Sequence, residues 1–212
     1  MSSELLVNLG PRETRAALVE NGALTEIHIE RANKRGLVGN IYKGRVSRVL
    51  PGMQAAFMDI GLERTAFLHV SDIARRDDVG VDFEVPRPDD IRAAMAEGDE
   101  RLVQVLKDPL GTKGARLTTF ITLPSRFLVY MPQGKGVGVS ARIEDEAERA
   151  RLRSIVEAFM PLERPGGYIV RTVAEGAVPE ALAADMLFLQ RLWEVVGAAG
   201  FRAPAGDRKS VV

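Results

Sequence analysis

Cysteine is absent from this chain of 212 residues, and histidine and tryptophan are scarce, with two copies and one. Without cysteine there are no disulfide bonds and no thiolate metal sites, so a reducing cytoplasm is the expected location. No apolar run reaches the roughly 18 residues that a transmembrane helix needs. The N-terminus lacks the basic segment and long apolar core of a signal peptide, and none is expected. The sequence therefore predicts a globular protein without a membrane span.

Basic and acidic residues balance over the whole chain, with 29 of each. The basic charge is nevertheless concentrated between Arg31 and Leu68, where seven basic residues stand against Asp59 and Glu63, a local net charge of +5. Binding of a nucleic acid would therefore have to come from a local patch and not from the charge of the whole protein. The seven are Arg31, Lys34, Arg35, Lys43, Arg45, Arg48 and Arg64.

Residues 4–30 have the alternating pattern of a strand meander. Leu5, Val7 and Leu9 alternate along the first strand, and Asn21-Gly22 is typical of a type I′ hairpin turn. Three strands without a helix over them cannot close a core, so this segment needs a partner inside or outside the chain.

Residues 38–69 read as three short strands, interrupted at Pro51-Gly52 and at Gly61. This pattern predicts the start of a small antiparallel barrel, which strands at 101–106 and 117–123 would complete. An acidic insertion, residues 71–100, has a net charge of −6 and is expected to be a solvated loop with a short helix near Asp89–Ala96.

Residues 124–200 predict a second α+β unit with strands at 126–131, 138–141 and 168–173. An amphipathic helix is expected over Asp145–Met160, and another begins at Pro179, while the pattern is lost from Gly197 onward. The apolar stripe of the second helix is expected to be core or subunit contact and consists of Leu182, Met186, Leu189, Trp193 and Val196.

Two features indicate nucleic-acid chemistry. Phe57 and Phe67 lie on successive strands among basic residues such as Lys43 and Arg45, an arrangement that suits stacking of single-stranded RNA. Periodicity alone leaves a structural alternative open, in which both phenylalanines are core. Arg171-Thr172 stands at the end of a predicted strand and could hold a terminal phosphate, although such a pair is also common on exposed strands.

Few groups of residues in this sequence could form a catalytic site. His28 and His69 stand alone on their strands, and Asp59 is a single carboxylate where a two-metal nuclease needs several. The segment Gly111-Thr-Lys-Gly114 only partly matches a phosphate-binding loop. No catalytic residue is assigned.

Taken together, several segments closely resemble the N-terminal part of the bacterial ribonuclease E/G family of endoribonucleases, and its ribonuclease G branch in particular. The resemblance runs from about residue 4 to about residue 205. The segments that carry it are Glu4–Asn8, Glu26–Arg31, Gly39–Phe57, Lys107–Thr119 and Ile169–Thr172.

The resemblance implies an α+β fold in three parts. Residues 1–36 would be the first portion of a split RNase H-like subdomain. Residues 37–123 would be an S1-type OB barrel carrying the acidic insertion, and residues 124–200 a small α+β 5′-sensor domain. Residues 201–212 would be an unstructured tail, of which residues 207–212 resemble a translated sequencing adapter and are expected to be artefactual.

The resemblance also implies the binding residues of the barrel. The family's RNA-stacking and RNA-holding positions fall on Phe57, Phe67 and Lys113, and Lys107 is their neighbour. The implied partner is single-stranded RNA that carries a 5′-monophosphate.

For the terminal phosphate, the family's binding pair falls on Arg171 and Thr172. Val129 falls on a position that contacts the terminal base, and Arg142 on a supporting arginine. Ser125 stands where a relative has glycine, so its hydroxyl is expected to adjust the pocket.

The implied activity is magnesium-dependent RNA cleavage in the processing and decay of rRNA and mRNA. In the family the catalytic acidic residues lie downstream in a DNase I-like domain, followed by a cysteine motif that links zinc, and the full-length enzyme is a homo-oligomer. No residue here matches a catalytic position, so this chain is expected to hold no cofactor and not to cut RNA alone. The alternative is a non-catalytic RNA-binding protein acting by itself.

Overall fold

The computed structural model describes residues 2–32, 36–74, 90–160, 166–202 and 204–205. They form two compact units, residues 1–38 and residues 39–212. None of the described helices is both long and apolar enough to cross a membrane. The mixture of strands and helices agrees with the predicted α+β class. Residues 207–212, the last part of the predicted tail 201–212, and half of the acidic insertion (residues 75–89) lie outside the described residues.

The first unit is a three-stranded antiparallel sheet in the order β1-β2-β3. Asn21 and Gly22, which join the second and third strands, have φ values of 50° and 80°, as the predicted type I′ turn requires. No described residue of this unit is buried, so the meander closes no core of its own. The strands are β1 (Ser3–Leu9), β2 (Glu13–Glu20) and β3 (Ala23–Arg31).

Five short strands of the second unit form a closed barrel, as predicted. All neighbouring pairs are antiparallel except β6 and β8, which are parallel. Alternate residues point inward, among them Met58, Leu68 and Leu117, which are fully buried. In the order β4-β5-β6-β8-β7 the strands are β4 (Ile41–Leu50), β5 (Ala55–Asp59), β6 (Ala66–His69), β8 (Arg116–Thr118) and β7 (Glu100–Lys107).

The described end of the acidic insertion packs against the barrel. A short helix, α1 (Ile91–Ala94), lies inside the predicted range, but Ile91 and Met95 are buried. The backbone N–H of Ile91 donates to Gln54 Oε1 at 2.9 Å, which ties the helix to the end of the β4–β5 connection. The expectation of a solvated loop is therefore wrong for this part of the insertion.

The remainder of the second unit is a four-stranded sheet in the order β11-β12-β10-β9, packed against two helices. Leu128 and Val170 of the sheet are buried in the same core as Leu152 of α2 and Leu189 of α3. Ile41 of the barrel belongs to this core too, which joins the barrel to the sheet. The elements are β9 (Leu123–Pro124), β10 (Leu128–Met131), β11 (Gly136–Val139), α2 (Glu146–Phe159), β12 (Gly167–Val170) and α3 (Pro179–Arg202).

Both predicted helices are present, with differences at their ends and edges. In α2, Phe159 is 46% exposed and lies outside the buried face that Leu152 and Val156 form. The helix α3 continues to Arg202, whereas the sequence pattern suggested a loss of structure from Gly197 and an unstructured tail from residue 201. Gly200 explains part of this difference, because a Cβ there would lie 2.7 Å from Leu102 Cδ2. The last turns of α3 thus lie against the barrel strand β7, and this packing offsets the low helix propensity of glycine.

The third predicted strand of this unit is also shorter than expected. The segment 168–173 was predicted as one strand, but β12 ends at Val170 and a 3₁₀ turn follows at Thr172–Ala174. Arg171 is the residue between them, with extended φ and ψ of −81° and 159°. The predicted phosphate-binding pair therefore lies at a strand end, where the chain turns away from the sheet.

Gly114, just before β8, provides a test of the barrel's closure. A Cβ at this position would lie 1.9 Å from the carbonyl oxygen of Thr65, whereas a Cβ at Gly52 would meet nothing within 4 Å. We expect Gly114→Ala to destabilise the protein by about 1–3 kcal/mol, because the backbone must move to relieve the overlap. The matched control Gly52→Ala should stay within about 0.5 kcal/mol of the wild type in urea unfolding. Equal stabilities of the two variants would contradict this account of β6 and β8.

Glu148 on α2 provides a test by pH. Its carboxylate accepts hydrogen bonds from Arg151 at 2.6 and 2.7 Å and from the Gly176 N–H at 2.9 Å. The Arg151 hydrogen bonds, supported by Gly176, lower the pKa of Glu148 from 4.5 to about 2. Because the folded pKa lies below the unfolded one, this stabilisation is complete above pH 4.5 and is lost as the pH falls towards 2.

We therefore expect Glu148→Gln to lower the melting temperature at pH 7 and to lower it less at pH 3. Glu157→Gln is a suitable control, because it removes an exposed carboxylate from the same helix. A melting-temperature difference between wild type and Glu148→Gln that stays constant from pH 7 to pH 3 would count against the interaction.

Candidate nucleic-acid interface

Phe57 and Phe67 lie side by side on the outer surface of the barrel. They are direct partners in the β5–β6 ladder, and their ring centroids are 6.2 Å apart with the planes at 65°. Their sequence neighbours Ala56, Met58 and Leu68 fill the interior, so the alternation of the strands turns both rings outward. Both rings are half-buried. The geometry therefore favours a partly exposed aromatic pair on the outer surface over the alternative that both phenylalanines are core.

His69 is a third ring beside this pair. Its ring centroid lies 6.4 Å from that of Phe67, with the two planes inclined at 31°. Its Nδ1 accepts a hydrogen bond from the Ser71 N–H at 3.2 Å and so begins the 3₁₀ turn Val70–Asp72. The other histidine, His28, has its Nε2 3.3 Å from Glu26 Oε2. Each histidine thus makes its contact with a residue two positions away in the sequence, which is a local structural interaction.

Cationic residues flank the aromatic pair on the same outer face. Arg48 of β4 is the ladder partner of Phe57, and Arg116 of β8 is the ladder partner of Phe67. Lys107 of β7 is in turn the partner of Arg116. We call these five residues, in the order Arg48, Phe57, Phe67, Arg116 and Lys107, the cross-strand row. Of these, Arg48 and Arg116 were not selected from the sequence, since only strand register reveals that they flank the phenylalanines.

Lys113 is exposed in the connection between β7 and β8. Its backbone N–H and C=O pair with those of Leu110 at 3.0 and 3.2 Å. Gly111, in the same turn, has φ of 56°, and its carbonyl accepts a hydrogen bond from the Arg64 guanidinium. This segment links two strands and opens no helix, so it is not a phosphate-binding loop of the nucleotide-binding type. Lys113 stays a predicted RNA contact.

Lys43 and Arg45 lie on β4, but both contact Glu100. Lys43 Nζ is 3.3 Å from Glu100 Oε2, and Arg45 Nη2 is 2.8 Å from Oε1. The hydrogen bonds from Arg45 and then Lys43 lower the pKa of Glu100. Neither basic residue is a ladder partner of a phenylalanine. The structure therefore places these two predicted RNA contacts outside the cross-strand row, with part of their charge balanced.

The residues predicted for a terminal phosphate gather at the end of β12. The Arg171 guanidinium donates through Nη1 to the carbonyl oxygen of Ser125, and it lies 3.5 Å from that of Arg126. The backbone N–H of Arg171 donates to Phe127 at 2.8 Å. Val129 is the ladder partner of Ile169, two residues before Arg171. The structure thus brings Arg171, Ser125 and Val129 to one edge of the sheet.

Thr172 and Arg142 meet at Ser140, a residue that the sequence did not single out. The hydroxyl oxygens of Thr172 and Ser140 are 2.9 Å apart, and the Arg142 N–H donates to Ser140 Oγ at 3.4 Å. Only the backbone of Arg142 makes this contact, and its side chain is exposed.

Asp185 on α3 holds the loop that faces Arg171, and sequence reasoning missed it. Its Oδ2 accepts from Ser125 Oγ at 2.6 Å and from the N–H groups of Phe127 and Leu128 at 2.9 and 3.0 Å. A signal was present, since Asp185 is a lone carboxylate among apolar helix residues. The Ser125 hydroxyl is therefore engaged with Asp185 and Leu128, not directed at a ligand.

No metal cluster is found in the part of the chain that the structure describes: no three His, Asp or Glu side chains there lie close enough to hold an ion.

Comparison with known proteins gives consistent matches. Residues 122–207 match the model of the Ribonuclease E/G family. The chain is 56% identical to Ribonuclease G of Salmonella typhimurium over 198 residues, which are 92% of this chain and 40% of that protein. It is 58% identical to Ribonuclease G of Haemophilus influenzae over 91% of this chain and 39% of the relative. The identity to Ribonuclease E of a Nostoc species is 44%, over 79% of this chain and 24% of the relative.

Among solved structures, a chain of the a/eIF2alpha-aDim2p-rRNA complex from Pyrococcus horikoshii aligns with a TM-score of 0.30 and 17% identity, over 78% of this chain and 79% of that one. Similarity this low does not establish a shared fold. The sequence matches are much stronger, although the chain spans only about 40% of the length of the ribonuclease G relatives. With more than half of its residues identical to theirs over nine-tenths of its length, the chain belongs to the ribonuclease E/G family.

Proposed function

We propose that this chain binds single-stranded RNA on its barrel and recognises a 5′-monophosphate at the end of β12. It would act as the recognition part of a ribonuclease G/E-type endoribonuclease in the processing and decay of rRNA and mRNA, in the cytoplasm. The observation that carries the proposal is the outward-facing pair Phe57 and Phe67 with cationic ladder partners on both sides. In this proposal, magnesium-dependent cleavage, zinc linkage and homo-oligomer contacts belong to the part of the relatives that this chain does not cover.

The barrel surface suits a strand of RNA with its bases unpaired. An exposed aromatic ring offers a stacking surface to any base, and stacking is worth about 1–3 kcal/mol per base. Lys107 and Lys113, both exposed, make no ion pair with a described residue, so their charges are available to phosphates. This combination favours binding with little sequence preference, because neither stacking nor phosphate contact reads a base edge.

The edge near Arg171 suits a terminal phosphate. The contacts of its guanidinium with described residues all run through Nη1, so the N–H groups of Nε and Nη2 can still donate. Two parallel donors match two phosphate oxygens, and the nearby hydroxyl of Thr172 supplies a third contact. Val129 offers an apolar surface to the terminal base. A site with donors for one phosphate group favours a 5′-monophosphate over a 5′-triphosphate. Such a preference suits RNAs that are decay intermediates or processed precursors.

The barrel part of the proposal is tested by Phe57→Ala. With a short unstructured RNA carrying a 5′-hydroxyl, we expect the dissociation constant to rise about 5- to 100-fold, since one stacking surface is lost. Fluorescence anisotropy measures this change, and circular dichroism shows whether the barrel is retained. Phe159→Ala, which removes a half-exposed phenylalanine of α2, is the control and should bind as the wild type. Unchanged RNA affinity of a folded Phe57→Ala variant would reject the barrel as the RNA site.

The sensor part is tested by Arg171→Ala with matched RNAs that carry a 5′-monophosphate or a 5′-hydroxyl. We expect the wild type to prefer the monophosphate and the variant to lose about 10- to 100-fold of that preference, because hydrogen bonds to a charged group are worth about 1.5–3 kcal/mol. The control is Arg153→Ala, an exposed arginine of α2. If wild type and variant bind both RNAs equally, the monophosphate site is not at Arg171.

A further inference from the structure

The cross-strand row is built by two irregularities in the barrel ladders. In β4, Val46 pairs with Met58, so regular pairing would place Ser47 opposite Phe57, but the register shifts and Arg48 lies there instead. In β7, Val105 pairs with Leu117, so regular pairing would place Leu106 opposite Arg116, but a second shift places Lys107 there. Each bulge therefore puts a cation where a neutral residue would otherwise stand.

These two bulges lie at opposite ends of one line of residues. Neighbouring strands are about 4.8 Å apart, so the five positions from Arg48 to Lys107 extend over roughly 19 Å across the barrel. Ladder partners point to the same face of a sheet, so all five side chains lie on the outside. Bulges commonly redirect a side chain next to a functional site, and here both do so in favour of positive charge.

We propose that single-stranded RNA crosses the barrel strands along this row, and that Arg48 and Arg116 bind it in two different ways. Arg48 contacts a phosphate, whereas Arg116 stacks its guanidinium plane on the base next to the one on Phe67. The inference deepens the proposed RNA-binding function and rests on it.

Arg48 makes no ion pair with any residue in the described ranges, and its side chain is exposed. A guanidinium at the edge of an aromatic pair is placed to neutralise a phosphate of the strand whose bases stack on the rings. Binding through this contact releases a counterion and so depends on the salt concentration.

Arg116 differs because Asp72 balances its charge and fixes its plane. The Nε of Arg116 donates to Asp72 Oδ2 at 2.9 Å, and its Nη2 lies 2.8 Å from the same oxygen. Asp72 is itself held in place, since its carbonyl oxygen accepts from Thr118 Oγ1 and the Thr119 N–H, each at 2.9 Å. The Arg116 side chain is still 42% exposed. A neutralised, fixed and half-exposed guanidinium suits stacking on a base better than attraction of a phosphate.

The test measures RNA affinity as a function of salt. The full chain is titrated with a fluorescent oligouridylate carrying a 5′-hydroxyl, so that the proposed phosphate sensor does not contribute, between 50 and 300 mM salt. Arg48→Ala should weaken binding about 5- to 10-fold at the lowest salt and reduce the slope of log K against log salt by about 0.7, the value for one phosphate of a single strand. Arg153→Ala is the control for loss of one exposed arginine.

Arg116→Lys tests the stacking role, because it keeps the positive charge beside Asp72 and removes the guanidinium plane. It should stay folded, weaken binding about 5- to 10-fold and leave the salt slope unchanged. Arg116→Ala should weaken binding at least as much, because it also leaves Asp72 without its counter-charge. Wild-type affinity or a reduced salt slope of Arg116→Lys would overturn the stacking role.

A Phe57→Ala titration in the same series separates the two proposals. If Phe57→Ala loses affinity while Arg48→Ala and Arg116→Lys bind like Arg153→Ala, RNA uses the phenylalanines but does not follow the row, and only this inference fails. If Phe57→Ala also binds like the control, the barrel is not the RNA site and the proposed function fails with it.

Discussion

The interior of the barrel has room for little beyond small and apolar groups, and this limit determines which side chains are left outside. At Gly44 an added Cβ would lie 2.9 Å from Ile60 Cγ2 and 3.0 Å from Met58 Cε, so even one methyl group would disturb the packing. Because strand residues alternate between the faces, filling the interior with Met58 and Leu68 turns Phe57 and Phe67 outward. Large rings held half-exposed on a rigid sheet lose little conformational entropy on binding, which makes them effective stacking surfaces.

The second candidate site depends on a different constraint, the need to satisfy buried backbone groups. The N–H groups of Phe127 and Leu128, at the start of β10, need hydrogen-bond acceptors, and one oxygen of Asp185 accepts from both. With the loop fixed by this carboxylate, the carbonyl oxygen of Ser125 is positioned to accept from Arg171. The arginine is thus held by a loop that is itself held by α3, so its orientation depends on packing far along the chain.

Much of the fold could be predicted because its signals are local. Alternation gave the strands, and Asn21-Gly22 identified the hairpin turn. The aromatic pair of the barrel was predicted from the nearby basic residues and from the family resemblance, because periodicity alone left open that both phenylalanines are core. The roles of Arg48 and Asp185 could not be found in this way. The first depends on a one-residue shift of register, and the second on an acceptor 57 residues or more from its donors. The extension of α3 past Gly197 was missed because its stabilisation comes from packing against β7 and not from helix propensity.

Both candidate sites lie in one compact unit and share a core through Ile41, and this bears on how RNA would be selected. When two modest sites are joined rigidly, binding at the first makes binding at the second effectively intramolecular, so affinity rises without new contacts. That gain is available only to an RNA whose 5′ end and unpaired stretch can occupy both sites together. A folded 5′ end would first have to lose its base pairs, which costs free energy that the second site must supply. Selectivity for single-stranded 5′ ends would therefore follow from the rigid connection between the sites, even where neither site reads a base.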